Sequence, residues 1–343
     1  MDKLGRGFMS ADPLEKVNLG DGTIPMPTFV NKNLSVEYKA DLVKLLKEYI
    51  DCFSWDYSEM PGLSRDLVEY RLPIIADFRP YKQPARRFNP SIYDRIKEEI
   101  NRLLDAGFIR SCHYADWISN IVPIEKKGSG KICVCIDFID LNKATPKDEY
   151  PMPIANMLIN EASGHCVISF LDGNAGYNQI FMAEEDTSKT AFVCPGFVGL
   201  FEWVVMTFGL KNAGATYQRA INLIFHDLLG FILKVYIVNI VIKSAGLNHH
   251  LADLKLALER MRRFGLKMNP LKCAFGVSIG KLLSFIIHEK GIEIDPKRIE
   301  AMRKVEAPTC KKDMQKFLGM VNYLRSFWKD RCFYSYSSVK ERD

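Results

Sequence analysis

The sequence predicts an α+β fold, and three observations carry that prediction. Short β-branched runs are separated by amphipathic helical stripes, several of the runs are joined as hairpins, and no regular βαβ or other internal repeat is visible. Hairpins mixed with helices favour α+β over a doubly wound parallel sheet. The 343 residues are 48% hydrophobic, enough for two or three subdomains around a substantial core.

The elements follow in order. Residues 1 to about 35 are rich in glycine and proline and weakly periodic, so they read as a linker or tail. Leu42, Val43, Leu45, Leu46 and Tyr49 mark a short amphipathic helix. Between Pro61 and Pro90 the prolines and the basic cluster PARRFNP predict an extended segment. Asn89-Pro90 then supplies an N-cap and a first helical residue. Ile92, Ile96, Ile100 and Leu103 follow at helical spacing, and Gly107 stops the helix.

Apolar runs from Ile121 to Phe138 flank the turn KKGSGK as a hairpin, and VISFL at 167–171 is a further strand. Ile221, Ile224, Phe225 and Leu228 mark a helix, and VYIVNIVI reads as strand, turn and strand. Leu247, Leu251, Leu254, Leu258 and Met261 line a longer helix ending near Gly265. Asp295-Pro296 opens another, and Met314, Phe317, Leu318 and Val321 line a last one.

Lys and Arg number 47 against 41 Asp and Glu, a formal charge of +6 that permits a nucleic-acid partner without requiring one. Nine scattered cysteines without a repeated C-x-x-C read as buried reduced thiols, with Cys133 and Cys135 facing the same way. The N-terminus lacks an apolar signal core, and the apolar stretch from Leu228 to Ile242 is too short to span a membrane. A soluble intracellular protein is expected.

Asp172 ends the VISFL strand beside GNAGY, where it reads as an accessible metal ligand or as a strand-end or helix-capping residue. His249-His250 resembles a metal pair, but adjacent residues do not share a helix face, so solvated histidines are expected. No P-loop, H-E-x-x-H or G-x-S-x-G occurs. Asn239 is an amide inside an apolar run, either a turn residue or the site of a former acid.

Seven motifs occur in a specific order: IVPIEKKGSGKICVCIDFIDLNKAT, SFLDGNAGYNQI, KTAF, FEWVVMTFGLKNAGATYQRAIN, VYIVNIVIKS, GLKMNPLKC and KLLSFIIHEKGIEIDP. Together they resemble the reverse transcriptase of gypsy-type LTR retrotransposon Pol polyproteins, of the kind abundant in plants, from roughly Leu42 to Phe327. The resemblance implies a right-hand polymerase of fingers, palm with a small antiparallel sheet, and the start of a thumb. Its expected divisions are 1–40 as linker, 41–106 as an extension into the fingers, 107–287 as fingers–palm, 288–328 as the thumb or connection start, and 329–343 as an aberrant tail read past a truncation.

In that family a palm acid at the Asp172 position and two acids of a Tyr-x-Asp-Asp hairpin bind two magnesium ions, which activate the primer hydroxyl and hold the dNTP. Here the hairpin reads Tyr236-Ile237-Val238-Asn239, so Asp172 is the one implied metal ligand that remains. Glu184-Glu185-Asp186 reads as a solvated loop that does not substitute. The resemblance places arginines at Cys133 and Ile139, facing the nucleotide. Lys131 remains nearby but lacks arginine's bidentate fork. Ser284 stands for a usual glycine and Thr207 for a common proline. Tyr177 matches the aromatic gate against a sugar 2′-hydroxyl, Phe208 a residue beside the nucleotide, and Lys272 the lysine near the leaving pyrophosphate.

The implied cofactor is magnesium, and the implied partners are an RNA or DNA primer–template and dNTP. Three functions follow: an active polymerase, a catalytically inactive relic of it, or a non-catalytic nucleic-acid-binding module. The missing acids favour the relic.

Overall fold

The computed structural model describes residues 10–125, 132–173, 175–194, 199–282, 285–294, 299–300, 303–305 and 307–321. Strands β1 (Leu14–Asn18) and β2 (Pro27–Asn31) precede helix α1 (Val36–Glu48). A long segment with little regular structure leads to α2 (Tyr93–Asp105), β3 (Ile109–Ser111), β4 (Ser119–Glu125), β5 (Ile132–Ile136) and the short α3 (Ile139–Ala144). After α4 (Ala155–Ala162) come β6 (Val167–Asp172), β7 (Phe192–Val193) and β8 (Leu200–Trp203). The chain continues through α5 (Ala213–Ile224), β9 (Leu233–Tyr236), β10 (Asn239–Ser244) and α6 (Leu247–Phe264). Four short strands follow: β11 (Ala274–Val277), β12 (Ile279–Leu282), β13 (Phe285–His288) and β14 (Gly291–Ile294).

Local chemistry sets the helix ends. The Ser35 side chain accepts the Tyr38 N–H at the start of α1, and the Asn89 side chain accepts the Ser91 N–H one turn before α2. Ile96, Ile100 and Leu103 are the buried face of α2, as their spacing predicts. Gly107 and Gly265, at φ 70° and 72°, take the left-handed conformation that ends α2 and α6.

Three sheets result. The largest runs β1-β2-β11-β6-β10-β9 and is antiparallel except at β2–β11. A five-stranded sheet runs β3-β8-β7-β4-β5, and β12-β13-β14 form a small antiparallel one. The fold is α+β, as the hairpins and interspersed helices predict.

Strand β6 is buried at all six residues because both faces of the largest sheet are covered. On one face Ile168, Phe170 and Val241 pack on Ile159 of α4 and on Leu282, Phe285 and Ile287. On the other, Leu171, Ile240 and Ile242 join a core that includes Tyr217 and Ile221 of α5 and Leu254 and Leu258 of α6. A strand covered on both faces reads as a continuous apolar run, which is why VISFL shows no alternation. Burying a side chain such as Phe170 contributes roughly 1.5–3 kcal/mol. Gly280 allows β12 to reach it: a Cβ there would fall 1.9 Å from the Phe170 ring.

The segment read as linker behaves differently. Residues 14–31 form a hairpin whose second strand joins the largest sheet by pairing Val30 with Phe275 of β11. Ahead of it, Asp12 accepts from the Ser278 and Ile279 amides. The long-helix stripe also shifts: His250, Leu254, Ala257, Leu258 and Met261 are the buried residues of α6, while Leu247 is exposed. Asp295-Pro296, Lys131 and Ser284 lie outside the described residues. Residues 311–321 are helical, with Met314, Phe317, Leu318 and Val321 exposed. Among the described residues no helix is long and apolar enough to cross a membrane.

Candidate active site

The β9–β10 hairpin turns through two residues, Ile237 and Val238. Ile237 has φ 52°, a left-handed conformation costly for a β-branched residue, at the first turn position where tight hairpins prefer glycine. The strained backbone is held from below. The buried Gln218 carboxamide of α5 accepts the Ile237 N–H at 2.7 Å and donates to Asn222 at 2.9 Å.

The turn sets Asn239 beside Asp172. Asn239 pairs with Tyr236 on one side and with Asp172 of β6 on the other, so the three side chains share one face in a row. The Gly173 N–H donates to the Val238 carbonyl at 2.7 Å, flanking the Asp172–Asn239 pair. That makes it the narrow, non-hydrogen-bonded kind, with Cα atoms about 4.5 Å apart. The residues predicted to meet are neighbours.

Asp172 is buried, not accessible as its strand-end position suggests. Burial pushes its carboxyl above the ordinary value, and the Lys272 ammonium, 3.1 Å from Oδ1, pulls the other way without cancelling that effect. Lys272 belongs to a 3₁₀ turn (Pro270–Lys272) capped by the Asn269 side chain. The Asn269 N–H donates to the Asp172 carbonyl at 2.8 Å, which docks this turn on the strand end.

Beneath the row lies Tyr217 of α5, fully buried, its hydroxyl without a hydrogen-bond partner among the described residues. Burial and the Asp172 charge push that phenol well above its usual range. Two glycines make room for it: a Cβ on Gly173 would fall 2.7 Å from the hydroxyl, and one on Gly176 would fall 2.9 Å from it. The sequence reading missed Tyr217 and Gln218. The available signals were the paired glycines of LDGNAGY and two polar residues on the core face of α5.

Among the residues expected to face a nucleotide, Tyr177 packs on Phe208 with ring centroids 4.7 Å apart, and Phe208 is exposed. Cys133 sits on β5 opposite Ile124 and shares its half-buried face with Cys135, whereas Ile132, Val134 and Ile136 are buried. Ile139 is exposed at the start of α3. Among the described residues no cysteine forms a disulfide, and no cluster of three or more His, Cys, Asp or Glu could hold a metal ion.

Two further expectations fail. His250 is not solvated: it is fully buried between Ser169 of β6, 2.7 Å from Nε2, and Ser244 of β10, 2.9 Å from Nδ1. Asp186 is not part of a solvated loop: it is buried, accepts the Leu72 N–H at 2.6 Å and pairs with Lys189. The buried Leu72 amide needs an acceptor and draws the carboxylate inward.

The sequence profile of the family "Reverse transcriptase (RNA-dependent DNA polymerase)" matches residues 124–321. The Pol polyprotein of the Drosophila melanogaster transposon opus is 32% identical over 262 residues, covering 75% of this chain and 25% of that protein. The corresponding polyprotein of transposon gypsy is 30% identical over 244 residues, covering 70% and 23%. Among solved structures, a foamy viral protease–reverse transcriptase in complex with double-stranded DNA superposes with a TM-score of 0.76 at 20% identity, over 90% of this chain and 54% of that one.

The chain therefore belongs to the reverse transcriptase family, and its fold is the right-hand polymerase fold. Within that family its relatives include retrotransposon Pol polyproteins, those of opus and gypsy among them, and it spans about a quarter of their length.

Proposed function

We propose that this chain is the reverse transcriptase region of a plant-like gypsy-type Pol polyprotein in which the polymerase centre no longer catalyses nucleotide transfer. One observation carries the reading: the residue beside Asp172 across the β6–β10 pair is Asn239, and the turn residue before it is Val238. A two-ion magnesium site needs several hard oxygen ligands converging at short distance. The row supplies one carboxylate, already ion-paired, and one neutral amide, so the residues present do not fit that group.

Residues 41–106 are then the extension into the fingers, 107–287 the fingers–palm, and 288–328 the beginning of a thumb or connection. Lys131, Tyr177, Phe208 and Lys272 are the retained nucleotide-facing positions, and Cys133 and Ile139 the altered ones. The reading is tested by primer extension on an RNA template with magnesium or manganese, where no incorporation is expected. A second reading, a non-catalytic nucleic-acid-binding module, is favoured by the intact Tyr177–Phe208 aromatic pair, since the exposed Phe208 ring, backed by the half-buried Tyr177, offers stacking surface. Binding to primer–template that weakens steeply with salt would support it.

A further inference from the structure

We propose that Lys272 is the resident cation of this site: its ammonium satisfies the Asp172 carboxylate in place of a divalent ion, so the folded chain takes up neither magnesium nor manganese there. The inference rests on the reading of a centre without its hairpin acids and deepens it, from the loss of ligands to a replacement for the metal.

Three features support it. First, a buried carboxylate needs a counter-charge, and the described structure gives Asp172 one, Lys272 at 3.1 Å. Second, the lysine is delivered by a held turn. The Asn269 side chain caps that turn, the Asn269 amide is bonded to the Asp172 carbonyl, and the buried Thr28 hydroxyl of β2 donates to the Pro270 carbonyl at 3.0 Å. The N-terminal hairpin thus helps to position the ammonium. Third, a dication displacing Lys272 would find poor company. Asn239 offers a neutral amide, and the Val238 carbonyl already accepts the Gly173 N–H. Magnesium demands near-octahedral oxygen coordination and gives up its water reluctantly, so with one carboxylate and one amide the ion binds too weakly to displace the ammonium and enters only where Lys272 is removed.

The test uses the full chain and manganese as the probe, with bound ion measured by the paramagnetic resonance of free Mn²⁺ and stability by the thermal unfolding midpoint. Wild type should bind no more Mn²⁺ than Asp172→Asn, and its midpoint should not move when the ion is added. In Lys272→Met the carboxylate loses its partner. Mn²⁺ should then raise the midpoint, as mass action requires of a ligand that binds only the folded state, and Asp172→Asn in the same background should abolish the shift. Val238→Asp with Asn239→Asp should gain Mn²⁺ binding in the same assay, showing that it detects a rebuilt site.

Wild-type binding of Mn²⁺ that Asp172→Asn removes would overturn the proposal, whether or not Lys272→Met folds. So would a Lys272→Met protein that folds and ignores the ion. A chain that bound Mn²⁺ at Asp172 yet extended no primer would defeat this inference alone and leave the non-catalytic reading standing.

Discussion

Part of the acid sensitivity of this fold should come from one buried residue, His250. Its ring is satisfied only when neutral. The Ser244 hydroxyl donates to Asp253 at 2.5 Å, so its oxygen is left to accept from His250 Nδ1–H. The Ser169 oxygen accepts the Gly276 N–H at 3.1 Å, so its hydroxyl donates to Nε2. This assignment of the tautomer follows from the network. A second ring proton would meet the Ser169 hydroxyl head-on inside the core. Burial accordingly lowers the His250 pKa from 6.5 to about 4.

Between those values the unfolded chain binds a proton that the folded chain refuses, so stability is full above about pH 6.5 and falls as the pH drops toward 4. At about 1.4 kcal/mol per pKa unit the loss is about 3 kcal/mol. Urea unfolding of wild type and His250→Gln, which keeps a donor and an acceptor but cannot titrate, isolates this contribution from the carboxylates. The stability difference should shift by about 3 kcal/mol in the variant's favour between about pH 7.5 and pH 4. A difference that stays flat with pH would refute the argument.

Asp172→Asn should raise the unfolding midpoint at neutral pH, because burial penalises the charged carboxylate more than Lys272 relieves it; a lower midpoint in thermal scans would contradict that balance. Gln218→Ala should cost about 1–3 kcal/mol in urea unfolding, since the amide of the strained Ile237 loses its acceptor. Val238→Asp with Asn239→Asp should not restore efficient synthesis, because Cys133 and Ile139 still leave a triphosphate without arginine partners, each lost contact costing about 1.5–3 kcal/mol. Adding Cys133→Arg and Ile139→Arg should lower the nucleotide concentration at half-maximal incorporation, and identical saturation by double and quadruple variants would defeat the fingers assignment.

What the sequence shows and hides has physical causes. The β6 and β10 strands are legible because burial on both faces leaves apolar runs, but the place of the turn between β9 and β10 is not: it falls on the apolar Ile237 and Val238, and Asn239 is the first residue of β10 rather than a turn residue. The pairing of Asn239 with Asp172 is likewise legible, since both end strands of one sheet. The β1–β2 hairpin is not: its strands alternate weakly, and β2 gains its place by pairing with β11, far away in sequence. His250 was hidden by its neighbour. His249-His250 suggests a solvated pair, whereas the spacing of 250 to 254, 257 and 261 is that of one helical face. Asp186 gives no local sign of burial, because the amide that draws it in belongs to Leu72. The Lys272–Asp172 ion pair depends on a turn bonded to the strand end, which no local pattern encodes.

Template-dependent primer extension by the purified chain tests the central claim most directly. An RNA template, a labelled DNA primer and saturating dNTP are incubated with magnesium and, separately, manganese, with Asp172→Ala alongside. With Val238 and Asn239 in the hairpin, wild type should be indistinguishable from Asp172→Ala and add no nucleotide. Incorporation by wild type that follows the template and disappears in Asp172→Ala would contradict the account.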